Sequence, residues 1–225
     1  MAGETIMKLW RLRLLEFYDH KTTESGFGGH VSAITGLFGE DLILALLCDF
    51  WRRQGIQSEV VSYSCNAGSR SGHRLDAWLL QRTDPPVLFQ TEVKNWSAHS
   101  IGGRELRVDS DDDTKVSYAS EHWRRYFAAD KNIDESIAKV LEPMMPPDNC
   151  KATRILPLIA FWFVIAEKDA HQPYSIKTLP TGGHFQELHV FSASNYLRSL
   201  NADWVELELP RYARRHELLN KLFAR

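Results

Sequence analysis

The chain has 225 residues, 44% of them hydrophobic and 25% charged, with a formal net charge of −2. That profile belongs to an ordinary globular protein with one substantial core, and it excludes a low-complexity or disordered chain. No run reaches the 18 or so apolar residues that a transmembrane helix needs, and a charge this small neither requires nor forbids nucleic acid.

The start, "MAGETIMKLWRLRLLEF", carries Arg11 and Arg13 through its apolar stretch and does not read as a signal peptide. Three cysteines (Cys48, Cys65 and Cys150) lie far apart with no CxxC pair. A reduced, cytoplasmic setting is expected, not a disulfide framework or a zinc knuckle.

In chain order, "KLWRLRLLEFY" (Lys8 to Tyr18) alternates Trp10, Leu12 and Leu14 with arginines, the pattern of a strand with one wet face, with a helix as the alternative. Gly26 to Gly29 read as a turn. From Gly39 to Gln54, Leu42, Ile43, Leu46, Leu47 and Phe50 recur at helical spacing and Gly55 supplies a stop, so an amphipathic helix is expected. Strands follow at Ser58 to Ser64, Arg74 to Gln81 and Val87 to Trp96, the last two flanking the turn "RTDPP". A polar loop, Ser97 to Asp113, leads to a helix at about 114–129 and another near 133–141, stopped by Pro143, Pro146 and Pro147. A buried strand is expected at Leu158 to Ile165. Further strands are placed near His189 to Phe191 and Trp204 to Leu209, then a helix from about Arg211 to Phe223. Strands and helices alternate too tightly for two independent units. The expectation is one α/β domain over 1–225, with its core at about 39–167, an N-terminal strand segment at 1–38 and C-terminal strands and helix at 168–225.

Charge inside one of these strands raises the chemical question. "FQTEVKNW" (Phe89 to Trp96) sets Glu92 and Lys94 in an apolar run. With the hairpin turn centred on Asp84, Asp76 falls opposite Glu92, and period two puts Gln90, Glu92 and Lys94 on one face, with Phe89, Thr91 and Val93 on the other. Two neighbouring carboxylates repel unless a positive charge sits between them, and a divalent cation with oxygen preference, Mg²⁺ first, answers that need. A metal, an activated water and an ammonium near developing phosphate charge are the parts of phosphodiester hydrolysis. The competing reading is a solvent-facing strand whose alternate residues carry paired charges.

Asp76, then Glu92-Val93-Lys94 on the next strand, after a helix bearing Glu40, resembles the PD-(D/E)XK nuclease superfamily, the restriction-endonuclease-like fold. Leu75 stands where the naming proline would be. The resemblance implies a central mixed β-sheet flanked by helices, with core order α-β-β-β-α-β. It implies that Asp76, Glu92 and the backbone carbonyl of Val93 bind Mg²⁺, with Mn²⁺ as a substitute. Glu40 is the candidate to complete the metal shell, and Lys94 assists the attacking water. A DNA endonuclease is the implied activity, with RNA as the other substrate class and restriction or phage defence as the setting. Specificity would come from loops, from homodimerisation or from a partner protein that delivers the substrate or activates the enzyme. The rival class is a nuclease-fold subunit, silent or partner-activated, that works in nucleic-acid binding or assembly.

"DHK" (Asp19 to Lys21) and "DTK" (Asp113 to Lys115) also match the acid-x-Lys triplet, but neither lies in an apolar strand preceded by an Asp-bearing one. Candidate nucleic-acid contacts are Arg70, His73 and Arg74 before the Asp76 strand, Gln90 within the next, and His99, Arg104 and Arg107 in the loop after it.

Overall fold

The computed structural model describes residues 6–19, 28–66, 74–95, 114, 139–148, 150, 154–162, 172–179 and 181–223. Strands β2 (Ser58–Asn66), β3 (Arg74–Gln81) and β4 (Val87–Lys94) form an antiparallel meander. β5 (Arg154–Phe161) joins β4 in parallel, β7 (Glu187–Ser192) joins β5 in parallel, and β6 (Tyr174–Thr178) closes the edge antiparallel to β7. The six-stranded mixed sheet therefore runs β2-β3-β4-β5-β7-β6, and the mixed α/β class agrees with expectation.

Helix α2 (Gly28–Arg53) packs on the Phe89 face of this sheet, where the Trp51 and Phe89 rings lie 5.2 Å apart. It starts at Gly28, not Gly39, so Gly28 and Gly29, read as part of a turn, belong to its first turn, where backbone N–H groups lack intrahelical partners in any case. Leu42, Ile43, Leu44, Leu46 and Leu47 are all buried, more than one stripe can account for. The sheet covers one side of α2. The other is covered by the ribbon of β1 (Ile6–Trp10) and β8 (Trp204–Glu208), by α3 (Ala193–Ser199) and by α4 (Pro210–Phe223). Its end is a Schellman motif, with Ile56 N–H donating to the Trp51 carbonyl at 2.9 Å, Gly55 N–H to that of Arg52 at 3.0 Å, and Gly55 at φ 78°.

Several expectations change. The N-terminal strand ends at Trp10, and Arg11–Asp19 is a helix, α1. The expected alternation fails after Trp10, since Leu12 is exposed while Leu14 is buried. Arg11 marks the switch: its N–H donates to the Asp203 carbonyl at 2.9 Å and its Nε to the Ala202 carbonyl at 2.7 Å. β6 and α3 were not expected from the sequence. α3 is a short helix in a Ser-rich stretch, capped by Ser192 Oγ accepting from Asn195 N–H at 3.4 Å.

β5 begins at Arg154, ahead of the expected Leu158, and carries Pro157 inside it. The Trp162 N–H donates to the Lys94 carbonyl at 3.0 Å, so even-numbered β5 positions turn their backbone groups toward β4. Pro157 faces the β7 side, where pairing starts only at Leu158, and its missing N–H interrupts no ladder bond. The end of the expected strand, beyond Trp162, and the helices expected at 114–129 and 133–141 lie mostly outside the described residues. What is described of the latter is a single 3-10 turn, Lys139–Leu141.

Between β6 and β7, Tyr174 Oη sits 2.8 Å from His189 Nδ1, and His189 Nε2 sits 3.2 Å from Glu187 Oε1. Burial holds the imidazole below its ordinary pKa, against the pull of Glu187. The unfolded chain therefore takes up a proton near pH 6.5 that the folded chain refuses, so this contribution to stability is full above that pH and is lost as pH falls. Thermal melts between pH 7.5 and 5 are expected to show a steeper loss for the natural chain than for His189→Gln. Parallel curves would refute the assignment.

Candidate active site

The β3–β4 ladder runs from Gln81↔Val87 to Ala77↔Thr91, the register that a turn centred on Asp84 predicts. One step beyond the last pair stand Asp76 and Glu92, across from each other. Here a side chain takes over from the ladder: Asp76 Oδ2 accepts the Val93 N–H at 2.7 Å. Because N–H and C=O of one strand residue project to the same side, the Val93 carbonyl also faces Asp76.

Both faces of β4 are covered. β4 and β5 are parallel neighbours, so their connection must cross one face of the sheet. Residues 139–144 of that connection lie on the face bearing Gln90 and Glu92. Gln90 is fully buried and spends its amide on this cover: Nε2 donates to the Val140 carbonyl and, at 2.8 Å, to that of Glu142, while Oε1 accepts from Met144 N–H at 3.3 Å. Gln90 thus acts as a structural tie, with both its N–H groups spent on this cover and its side chain buried beneath it.

Glu92 beneath the same cover is not a solvent-facing strand residue; its side chain is 3% exposed. Lys94 Nζ donates to Glu92 Oε1 at 2.7 Å. A second ammonium, Lys139 Nζ, lies 2.6 Å from that same oxygen and donates to the Arg74 carbonyl at 3.2 Å. The other oxygen, Glu92 Oε2, is buried without a hydrogen-bond partner among the described residues. Burial first, and the Glu92 charge second, push Asp76 up to about 6, against the pull of the Val93 N–H, Lys139 and Lys94.

Asp76, Glu92, Val93 and Lys94 therefore meet at one fork, as expected. Glu40 does not join them in the structure described: its Oε2 accepts from Arg211 Nη1 at 3.0 Å, an ion pair that fastens α4 to α2. Neighbouring Asp41 does similar work, accepting the Tyr212 N–H at 2.8 Å. Gly39 brings this stretch of α2 against the end of β4, where a Cβ would come within 2.0 Å of Asn95 Nδ2. Arg74 is exposed at the start of β3, a position from which it can reach a ligand. Arg70, His73, His99, Arg104 and Arg107 lie outside the described residues.

Lys139 was missed. No spacing rule links it to Glu92, and the only available signal was topological: a parallel β4–β5 pair obliges the connection to lay something over Glu92.

Among the described residues no group of three or more His, Cys, Asp or Glu side chains converges as a metal site. The fork instead offers two carboxylates and a backbone carbonyl, all hard oxygen donors suited to Mg²⁺. The bare, buried Glu92 Oε2 and the raised Asp76 both fit a cation that would satisfy them. No family model matches the chain, and no curated protein and no solved structure matches it.

Proposed function

We propose that this protein is a metal-dependent phosphodiester hydrolase, a DNA endonuclease built on a restriction-endonuclease-like core. The order α2, meander β2-β3-β4, then β5 parallel to β4 supports that fold; the helix expected at 114–129 lies almost wholly outside the described residues. The observation that carries the function is the fork itself: Asp76 on Val93 N–H, with Glu92 Oε2 buried and bare beside an ammonium.

Asp76, Glu92 through Oε2, and the Val93 carbonyl would hold Mg²⁺ or Mn²⁺. When bound, such an ion polarises a phosphoryl oxygen and acidifies water. The protein's own groups do the rest. Glu92 Oε1 fixes the Lys94 ammonium, which donates to the attacking water or to the phosphate as negative charge grows. The cover of residues 139–144 keeps bulk water off the buried face of the carboxylate, so these charges act in a low dielectric. Arg74 is placed to contact a phosphate flanking the cut.

The test is incubation of the purified chain with plasmid, labelled duplex DNA and RNA, in Mg²⁺ and in EDTA. Cleavage in Mg²⁺, abolished by EDTA and by Asp76→Asn, is expected; metal-dependent cutting that survives Asp76→Asn would overturn the reading.

One observation favours a second reading. Two ammonium groups already balance the two carboxylates. A nuclease-fold subunit that is silent alone, and works in nucleic-acid binding or assembly, would have the same ion pairs. It predicts DNA binding without cleavage under all metals, or cleavage only once a partner protein is added.

A further inference from the structure

We propose that Lys139 is a second phosphate-binding residue of this site, held on Glu92 until a phosphodiester arrives, and that it makes metal and nucleic acid bind cooperatively. The inference rests on the nuclease reading above.

Charge bookkeeping at the fork motivates it. Asp76 and Glu92 carry two negative charges, and Lys94 and Lys139 carry two positive ones, both within 2.7 Å of Glu92 Oε1. One ammonium suffices to orient that oxygen, so the second is surplus to positioning. A dication entering alone would leave the cluster with two uncompensated positive charges in a partly buried place. A phosphodiester entering with it offers anionic oxygens to which an ammonium can transfer.

Lys139 is the ammonium free to make that transfer. Its side chain is 21% exposed, against 12% for Lys94. Its backbone does not depend on the ion pair, because the turn is anchored independently by the buried Val140 side chain and by the Gln90 amide. The four-carbon stem can therefore swing while the turn stays in place. Its other partner, the Arg74 carbonyl, sits at the start of β3, so the ammonium already spans the mouth of the fork where a strand of nucleic acid would enter.

The experiment uses the full chain with Ca²⁺ as a non-cleaving probe. Ca²⁺ binding is measured by isothermal titration calorimetry with and without a short duplex DNA. DNA binding is followed by fluorescence anisotropy with and without Ca²⁺, and melting temperatures check folding. In the natural chain, DNA is expected to tighten Ca²⁺ binding about tenfold or more, and Ca²⁺ to tighten DNA binding by the same factor, as linkage requires. Lys139→Met is expected to bind Ca²⁺ alone several-fold more tightly and to lose most of that mutual enhancement. Lys139→Gln, which keeps a donor toward Glu92 but no charge, gives the same result and decides the matter where the Met variant does not fold. Lys139→Arg keeps the enhancement. A folded Met or Gln variant with unchanged Ca²⁺ affinity and unchanged coupling overturns the proposal and leaves the nuclease reading standing. If Ca²⁺ binds none of these chains, with or without DNA, the nuclease reading itself falls and takes the proposal with it.

Discussion

Glu92→Gln is expected to lower Mg²⁺-dependent cleavage by about a hundredfold or more, the usual cost of removing a charged group that acts on the reacting phosphate. The substitution keeps the shape of the side chain and removes its charge. Both lysines then lose the negative charge they share, which lies 2.7 Å from Lys94 and 2.6 Å from Lys139. Stripping the counter-charge from ammonium groups this sheltered costs about 2–4 kcal/mol. In a chain of this size that is a fall of roughly 5–10 °C in melting temperature. Activity and stability thus fall together, and single-turnover rates on protein shown to be folded by circular dichroism separate the two. A folded Glu92→Gln protein that cuts within twofold of the natural rate would remove Glu92 from the chemistry.

The second large effect belongs to a residue that touches no substrate. Gln90→Leu is nearly isosteric but deletes three hydrogen bonds, to the Val140 and Glu142 carbonyls and from the Met144 N–H. The Val140 carbonyl and Met144 N–H, left unpaired in a buried place, cost about 1–3 kcal/mol each and the part-buried Glu142 carbonyl adds less, so a total loss of roughly 3–5 kcal/mol is expected. Urea denaturation measures it. Because the released turn carries Lys139 and shields Glu92, cleavage should fall as well, even under conditions where the variant is folded. A change in unfolding free energy below about 1 kcal/mol would show that the cover is held by other contacts.

These two residues also show what could be read from the chain. The pairing of Asp76 with Glu92 was legible because a hairpin is local: "RTDPP" fixes the turn, and period two carries its register outward to the fork. The end of α2 was legible for the same reason, Gly55 being a stop wherever it follows such a pattern. Gln90 and Glu92 share a strand face and a polar character, so alternation alone treated them alike. Only the cover distinguishes them, and the cover comes from residues 50–54 positions further on. Lys139 was hidden by the same distance. Glu40 could not be placed from the sequence, because an acid in a helix next to the site satisfies the expected pattern whether it faces the fork or, as here, pairs with Arg211. That partner lies 171 residues away. Likewise Trp10, Leu12 and Leu14 suit a strand until Arg11 is seen bonded to the carbonyl of Ala202.

The ribbon that closes on α2 has a consequence for how the chain is made. Arg11 and Ala202 are 191 residues apart, and β1 has β8 as its pairing partner. As the chain leaves the ribosome, β2 to β4 can meet α2 early, while the opposite side of that helix, with Ala45 and Cys48 near Leu207, waits for β8 to be synthesised. During that interval the nascent chain presents oily surface and an unpaired first strand together, the combination that chaperones recognise and that strand exchange between neighbouring chains exploits. Closing so long a loop late is slow but adds only modestly to its entropic cost, so the last strand acts as a latch on an already assembled sheet.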